Sequence, residues 1–321
     1  MNLRLQEIST QSYAEHVLPL TEPLWSHGRT FEAYRDQTAE LAQTAYGRKS
    51  YRTVGLSDGS SLLATFKRYE RDARVENERL HAVGIGAVFT PEPFRGHGFA
   101  SAMLAMALDD ARTAGVDFAF LFSDIHPQFY KEIGFAELSS RAISFRADSL
   151  EGGRIDAQPI ADRDWSGVRS CLDAMEADRG FGLMRSPSVW TWLRARIGHQ
   201  THRHDAQPVN LAVRKGRAIA AYVIGAREPR HDAYVLDEFA FSDAEARTLI
   251  PALLRSAAGD LRRIVGWLPP APARGVLPRG SVRKRSDAVL MIAPLSKGGT
   301  RFLERAAATG GADPVWSLDH I

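Results

Sequence analysis

The stretch VFTPEPFRGHGFAS, residues 88–101, joins a predicted strand to a predicted helix through a turn that contains two glycines. The residues before it, at 79–90, form a long apolar run that is typical of a strand. Apolar residues then recur at helical spacing between positions 100 and 111 and predict an amphipathic helix. The segment therefore has the order strand, glycine turn, helix, and the first helical turn directly follows the glycines.

The glycine turn has the composition of an anion-binding site. The first amides of a helix have no partner within the helix, and the helix dipole gives this end a partial positive charge. Gly96 and Gly98 let the backbone approach a ligand closely, and Arg95 adds a permanent cation. We therefore expect a pyrophosphate to bind between Arg95 and Ser101.

Two other phosphate-binding motifs fit this turn poorly. A P-loop needs Gly-Lys-Ser/Thr after a four-residue gap, and the turn has no such sequence. A dinucleotide-binding turn needs a third glycine, but Ser101 stands at that position, and the preceding strand belongs to an antiparallel set.

The sequence RGHGFA, residues 95–100, resembles the acetyl-CoA signature R-G-x-G-x-A of the Gcn5-related N-acetyltransferase (GNAT) superfamily. A second motif, PQFYKEIGF at residues 127–135, resembles the short helix that this superfamily has after the next strand, with an aromatic-tyrosine pair and a glycine-aromatic end. The resemblance is strong over residues 60–138 and loose over the rest of the first half. In the second half it concerns only the order of the elements.

The resemblance implies an α/β (α+β) fold with two GNAT-like domains, each a mixed, mostly antiparallel twisted sheet flanked by helices. A Gly-Gly pair and a proline interrupt the pattern at residues 147–160 and indicate a domain boundary. We expect a catalytic domain at residues 1–150 and a degenerate GNAT-like copy at residues 155–321. We also expect the strand DAVLMIAPL, residues 287–295, to belong to the second half.

The second half has no equivalent of the glycine turn. Its corresponding strand runs straight into the sequence FSDAEA. Asp243 and Glu245 at that helix start would repel a pyrophosphate.

In GNAT proteins the acetyl-CoA lies where two neighbouring parallel strands splay apart, which here implies residues 84–89 and 118–123. The resemblance implies that the main chain of Val88, Phe89 and Thr90 contacts the pantetheine amides. A main-chain N–H near Phe89 would polarise the thioester carbonyl. The residues implied for pyrophosphate binding are Arg95, Gly96, His97, Gly98, Phe99, Ala100 and Ser101.

The resemblance also implies a general acid, and it leaves the general base open. Tyr130 occupies the family's usual acid position, and a phenol with a reference pKa of ~10 stays protonated at neutral pH. The alternative is a tyrosine that only packs beside the cofactor. Candidates for the base are His81, Asp124 or a water held by the backbone. Asp124 could instead bind the ammonium group of the substrate or cap the following helix.

The chain end supplies a third candidate for the base. The sequence PVWSLDHI resembles the tails of multi-domain acetyltransferases related to the mycobacterial enhanced-intracellular-survival protein, in which the terminal carboxylate reaches the active site of the first domain. This implies a catalytic carboxylate at Ile321, with a frayed end as the alternative. The resemblance further implies substrate contacts from Trp25 and His27, although Trp25 could be a core residue.

The composition excludes several classes of function. The chain has 44% hydrophobic and 25% charged residues, which is typical of a globular protein. Its net charge of +3 is too small for a polyanion binder, and we interpret the basic stretch VRKRSD as a solvated loop, so no nucleic-acid partner is expected. The N-terminus lacks a signal-peptide pattern, and no run approaches the ~18 apolar residues of a membrane span. We expect a cytoplasmic monomer or homodimer with no membrane partner.

Two other signals carry no function in this interpretation. Cys171 is the single cysteine, which excludes internal disulfides, and we interpret it as a core residue. The sequence HQTHRH brings together His199, His202 and His204, but only Asp205 could add a ligand at suitable spacing. We therefore expect a surface loop there and no metal.

Taken together, the sequence predicts an enzyme that moves an acetyl group from acetyl-CoA to a primary amine by direct attack in a ternary complex. The amine would belong to a small molecule, such as an amino acid, or to a lysine side chain. The alternative is a non-catalytic acyl-CoA-binding regulatory module.

Overall fold

The computed structural model describes residues 2–125, 127–202, 206–278, 280–309 and 315–321. These residues form two sheets with helices packed against them. The first elements in chain order are β1 (Arg4–Ile8), α1 (Thr10–His16), α2 (Leu18–Trp25), α3 (Phe31–Gln43), α4 (Ala45–Ser50), β2 (Tyr51–Ser57), β3 (Leu62–Val75), β4 (Glu78–Phe89), α5 (Phe99–Thr113), β5 (Phe118–Ser123), α6 (Gln128–Lys131) and β6 (Ala136–Glu137). The later elements are β7 (Arg141–Arg146), β8 (Gln158–Pro159), α7 (Trp165–Met175), β9 (Phe181–Met184), α8 (Pro187–Gly198), β10 (Gln207–Pro208), β11 (Leu211–Lys215), β12 (Ala218–Glu228), β13 (Ala233–Phe241), α9 (Ala244–Arg247), α10 (Ile250–Ala258), β14 (Arg263–Trp267), α11 (Ala271–Arg274), β15 (Ser281–Lys284), β16 (Val289–Pro294) and α12 (Lys297–Ala308).

The first sheet has the strand order β1-β2-β3-β4-β5-β16-β6, and β9 pairs with β3. Strands β4 and β5 run parallel, and the other pairs in this sheet are antiparallel within the described residues. The apolar stripe predicted for α5 is buried, because it packs on one side of the sheet. On the other side Phe302 of α12 stacks on Phe118 of β5 with ring centroids 4.3 Å apart.

The second sheet has the strand order β15-β7-β14-β13-β12-β11-β8, and β10 pairs with β12. Strands β13 and β14 run parallel and their neighbours run antiparallel. The prediction of two mixed, mostly antiparallel sheets flanked by helices is therefore confirmed. That the second half is a degenerate copy of the first stays a prediction.

Strands cross between the two halves of the chain. Strand β7 belongs to the second sheet, where it pairs with β14 and β15. Strand β16 belongs to the first sheet, where it pairs with β5 over six residue pairs. Our assignment of residues 287–295 to the second half is therefore wrong with respect to the sheet, because this strand covers the open edge of β5. The division at residues 150 and 155 stays a prediction about domains, and sheet membership does not follow it.

The helices of the described residues include none that is both long enough and apolar enough to span a membrane.

Candidate active site

A cavity of about 490 Å³ lies where β4 and β5 separate. Its walls come from both halves of the chain, because α1, α3, α8, β2–β5, β13 and the last residues all contribute side chains. Six of the residues predicted from the sequence line this cavity: Trp25, His27, Val88, Asp124, Tyr130 and Ile321.

The parallel pairing of β4 with β5 is short. It extends from Ala82 to Gly84 on β4, although β4 continues to Phe89. The predicted splayed strand pair is thus present, and it leaves the edge of β4 unpaired towards β5 in the described residues. Backbone N–H and C=O groups need partners when they are shielded from water, so this edge suits a ligand with its own amide groups.

A β-bulge reshapes β4 at the same place. Gly86 pairs with Lys67 and Phe89 pairs with Thr65, so two residues of β4 lie opposite one residue of β3. Ala87, inside the bulge, has a φ angle of 48°, which is uncommon for a residue with a side chain. Such strain is often found at functional sites.

The glycine turn has the geometry that its sequence predicts. Gly96 and Gly98 have φ angles of 78° and 79°, and a side chain at either position would meet no other atom within 4 Å. Gly98 is the N-cap of α5, and no side chain caps this helix. The start of α5 therefore has no side-chain cap and there is free space beside the two glycines, as an anion site at a helix start requires.

Side chains around the turn stay clear of these amides. The Arg95 Nε donates to the Thr90 carbonyl over 3.1 Å. The His97 Nδ1 lies 2.9 Å from the Arg95 carbonyl, and the imidazole stacks on Phe99.

The second half differs at its equivalent position, as predicted. The helix after β13, α9, begins with Asp243, whose carboxylate accepts a hydrogen bond from the Ala246 amide over 2.8 Å. A carboxylate therefore caps the start of α9, whereas the start of α5 has no side-chain cap.

Tyr130 lies on the short helix α6 and is 8% exposed. Its ring packs edge-on against Phe129 and Phe135. Burial, with a further contribution from the charge of Asp124, raises the pKa of Tyr130 to about 12. The phenol is therefore protonated at neutral pH and can act as a proton donor.

Asp124 follows β5 directly and also lines the cavity. Its Oδ1 accepts a hydrogen bond from the Ala288 amide over 2.9 Å, which ties the end of β5 to the residue that precedes β16. The Asp124 carboxylate thus lines the cavity and also connects two strands through the Ala288 amide.

The chain end packs directly on β4. A side chain at Gly84 would lie 2.3 Å from the Ile321 Cδ1, and one at Gly86 would lie 3.0 Å from the Ile321 carboxyl carbon. Only glycine at both positions leaves room for the terminal residue. The Ile321 carboxylate therefore lies against the strand that lines the cavity.

Buried ion pairs anchor this chain end. Asp319 accepts hydrogen bonds from Arg71 over 2.9 Å and from Arg185 over 2.9 and 2.8 Å. Burial acts to raise the pKa of Asp319, but the charges of Arg185 and Arg71 outweigh it and hold this pKa well below its usual range. Arg185 also pairs with Glu238 of β13 over 2.6 Å. The tail is thus fixed to both halves and is not frayed.

A second arginine holds the backbone of the tail. Arg196 of α8 donates to the carbonyls of Leu318 and His320. Burial lowers the pKa of His320 to about 3, so its imidazole is uncharged at neutral pH. Residues 318–320 are therefore held through side chain and main chain together.

The remaining predicted residues divide into those near the cavity and one that is elsewhere. Trp25 is half-buried and packs edge-on against Phe89 with ring centroids 6.2 Å apart, and His27 is exposed at the cavity rim. His81 lies near the start of β4, outside the cavity lining, where its Nε2 lies 2.8 Å from the Glu70 carboxylate. The structure does not bring His81 to Tyr130.

Four tyrosines and a lysine of the cavity were not predicted. Tyr13, Tyr34, Tyr51 and Tyr69 line it, and Lys67 lies among them. In the sequence TFKRYE, Lys67 has the appearance of an exposed residue of an amphipathic strand. The helices α1 and α3 cover the face of the sheet that carries Lys67. No local sequence pattern predicts that a strand face will be covered by helices from another part of the chain.

Two of the signals that we discounted differ from the loops we predicted. His199 is buried at the start of a short 3-10 helix, and residues 282–284 of the basic stretch lie in β15, next to the buried Arg285. Cys171 is buried, and burial raises the pKa of its thiol to about 12, in keeping with a core residue. The His199 Nε2 lies 2.8 Å from the Glu40 carboxylate. The side chain of His202 and the whole of His204 fall outside the described residues. The described residues contain no cluster of potential metal ligands.

Comparisons with known proteins agree with this fold. Residues 23–138 match the family model described as an acetyltransferase (GNAT) domain. No curated protein matches the chain.

Many solved structures share the fold at low sequence identity. One is a GCN5-related N-acetyltransferase from Anabaena variabilis, with 13% identity, a TM-score of 0.68 and coverage of 92% of this chain and 73% of that one. Eis1 from Mycobacterium abscessus has 14% identity, a TM-score of 0.56 and coverage of 92% and 74%. A tandem GNAT protein from the clavulanic acid biosynthesis pathway has 11% identity, a TM-score of 0.52 and coverage of 92% and 99%. Residues 23–138 therefore match the GNAT acetyltransferase domain family, and the chain as a whole shares the fold of a tandem GNAT protein.

Proposed function

We propose that this protein is an N-acetyltransferase that uses acetyl-CoA to acetylate a primary amine. The acceptor amine would belong to a small molecule, such as an amino acid, or to a lysine side chain. The observation that carries the proposal is that a splayed strand pair and a protonated tyrosine meet at one cavity, and that the strand β4 leads from this cavity to a helix start with no side-chain cap.

The residues of the first sheet fit the parts of coenzyme A. The amides between Arg95 and Ser101 would hold the pyrophosphate, because they face open space at a positive helix end. The unpaired edge of β4 from residue 85 to 89 would pair with the pantetheine amides. When bound, acetyl-CoA supplies the acetyl group as a thioester.

Tyr130 would protonate the sulfur that leaves. Its high pKa keeps it protonated at neutral pH, and it lines the same cavity as Asp124 at the end of β5. A main-chain N–H near Phe89 would donate to the thioester oxygen and stabilise the negative charge that grows there.

Two carboxylates remain as candidates for orienting the acceptor amine and taking its proton. They are Asp124 and the Ile321 terminus, because both lie at the cavity and His81 does not. The Ile321 carboxylate lies directly on β4, so we assign it the role of base and place Asp124 beside Tyr130 as a second anion for the ammonium group.

A thiol-release assay tests the proposal. The purified protein is mixed with acetyl-CoA and a panel of amines that contains free lysine, ω-amino acids, polyamines, aminoglycosides and peptides, and free CoA is measured over time. We expect amine-dependent release of CoA together with an acetylated product seen by mass spectrometry. Tight binding of acetyl-CoA without turnover of any amine would favour a non-catalytic acyl-CoA-binding module instead.

A further inference from the structure

Lys67 is a buried lysine in the wall of the cavity. It lies on β3, is 5% exposed, and donates from Nζ to the Thr53 hydroxyl over 2.5 Å. The Nζ also lies 3.5 Å from the centre of the Tyr13 ring, within the range of a cation–π contact. The Nζ lies 5.0 Å from the centre of the Tyr51 ring as well. These partners are uncharged, and within the described residues no ion pair of Lys67 is found, so its ammonium group has no anionic partner there.

The surroundings of Lys67 contain no compensating negative charge from side chains. Tyr13 on α1, Tyr51 on β2 and Tyr69 on β3 are neutral, because burial raises the pKa of each phenol well above its usual value. Burial is also the cause that lowers the pKa of Lys67 itself to about 7. A buried charge without an anion is costly, and an anion that enters the cavity recovers part of this cost.

The cavity therefore has two electrostatic ends. Asp124 lies at the end of β5, where the acceptor amine would react, and the Ile321 carboxylate lies between the two ends, against Gly86 of β4. Lys67 extends towards β2 and α1 on the opposite side. An acceptor that fits both ends carries an ammonium group at one end and an anion at the other.

We propose that Lys67 binds a carboxylate of the acceptor, so that the substrate is an amino acid whose reacting amine and carboxylate are several bonds apart. This inference rests on the acetyl-transfer function proposed above and names the class of acceptor. It also argues against polyamines and aminoglycosides, because Lys67 already occupies the tyrosine cluster and repels a second cation.

The strand spacing argues for a long acceptor. Lys67 lies on β3 and Asp124 follows β5, with β4 between these two strands. Neighbouring strands are ~4.8 Å apart, so β3 and β5 are about 10 Å from each other. An α-amine is separated from its own carboxylate by too few bonds to contact both Lys67 and Asp124, whereas an ε-amine has a longer reach.

Three acceptors of equal length test the proposal. They are 6-aminohexanoate, 6-aminohexanamide and 1,6-diaminohexane, which have a negative, a neutral and a positive tail. We expect kcat/KM to decrease in this order. The value for the carboxylate should be about 10- to 100-fold higher than the value for the amide, as is typical of a hydrogen-bonded charge. Equal rates for carboxylate and amide in the wild-type protein would overturn the proposal without any variant.

A substitution assigns the preference to Lys67. Lys67→Met keeps the volume of the side chain and should bring the carboxylate down to the rate of the amide, with an unchanged Kd for CoA. Lys215→Met is the matched control. Lys215 is an exposed lysine of β11 that pairs with Glu245 of α9, so its removal should leave the preference for the carboxylate intact. A preference that persists in Lys67→Met would contradict the role of this residue.

A binding measurement separates this inference from the function on which it rests. The CoA complex is titrated calorimetrically with 6-acetamidohexanoate and with N-hexylacetamide. Selective binding of the carboxylate by the wild-type protein, lost in Lys67→Met, supports the inference even if no amine is turned over. Absence of turnover then counts against acetyl transfer alone, and equal binding of the two ligands counts against Lys67.

Discussion

At the scale of single residues, burial determines the charge state of the cavity. In water near neutral pH a tyrosine is neutral, a lysine is charged and a histidine is partly charged. Burial shifts the pKa of Tyr130, Lys67 and His320 away from these ordinary values. Tyr130 becomes a weaker acid, His320 loses its charge, and Lys67 titrates near neutrality. None of these changes could be inferred from the sequence, because each depends on which chain segments cover the residue.

Tyr130→Phe tests the proton donor. The substitution removes only the hydroxyl, so the packing against Phe129 and Phe135 is preserved. We expect kcat to fall about 100- to 1000-fold, as is typical for the loss of a general acid, while the Kd of CoA stays the same. Steady-state kinetics and calorimetry measure the two quantities, and an unchanged kcat would remove Tyr130 from the mechanism.

The preference for an acceptor carboxylate should depend on pH. Lys67 is protonated below its pKa of about 7 and neutral above it, and only the protonated form attracts a carboxylate. Facing it are the neutral Tyr13, Tyr51 and Tyr69, and the Ile321 carboxylate lies against the neighbouring Gly86. The ratio of kcat/KM for 6-aminohexanoate to that for 6-aminohexanamide should fall by up to about tenfold per pH unit above neutrality. A ratio that is constant from pH 6 to 9 would show that Lys67 does not titrate in this range.

At the scale of elements, local patterns predicted most of the first sheet. The long strand, the glycine turn and the amphipathic helix correspond to β4, the open turn and α5. The short motif at 127–135 corresponds to α6 and the turn at Gly134. These elements carry their own signals, namely helical periodicity, glycines at positive φ and a buried apolar run.

The partners of strands were predicted less well. Strands β7 and β16 are short, and nothing in their residues specifies which sheet they join. Each is placed by long-range packing, since β16 covers β5 and β7 covers β14. The same holds for the chain end, whose place on β4 depends on glycines that precede it by more than two hundred positions.

Gly98→Ala tests the glycine turn as a binding element. The added methyl group meets no neighbour, but the residue must keep a φ angle of 79°, which costs about 1 kcal/mol. Gly115→Ala, after the other end of α5, is a matched control, because its φ angle is 76° and it too has open space around it. We expect similar losses of thermal stability in both variants. Only Gly98→Ala should weaken the binding of CoA, by about tenfold, and equal CoA affinities would argue against the turn.

At the scale of the whole molecule, the second half of the chain completes the wall of the cavity between β4 and β5. It contributes Arg185, Arg196 and Glu238, which hold the tail that brings Ile321 to β4. The sequence predicted two halves and a chain end that reaches the first domain. It could not show that an arginine from each half, Arg71 and Arg185, pairs with Asp319. Spatial neighbours far apart in sequence leave no local pattern.

Asp319→Asn tests this coupling. The substitution leaves Arg71 without its buried anion, and we expect a loss of about 3–5 kcal/mol in the free energy of unfolding at pH 7. The low folded-state pKa of Asp319 stabilises the protein above the unfolded value of ~3.9, so the difference between variant and wild type should shrink as pH falls below about 4. Chemical denaturation at several pH values measures it.

A matched control separates the buried ion pair from a surface one. Asp260→Asn removes an exposed carboxylate that pairs with Arg154 over 2.7 Å, and it should change stability little. If Asp319→Asn were as stable as this control, the tail would not be anchored as described. If it folded but kept its full kcat, the tail would be structural only.

The central claim is that one molecule of acetyl-CoA binds on the open start of α5 and along the free edge of β4. Calorimetric titration of the folded protein with acetyl-CoA tests it most directly. The account predicts saturable binding of about one molecule per chain, since Asp243 closes the equivalent helix start in the second half. Titration of well-folded protein that releases no heat of binding with acetyl-CoA, or with CoA itself, at any temperature would contradict it.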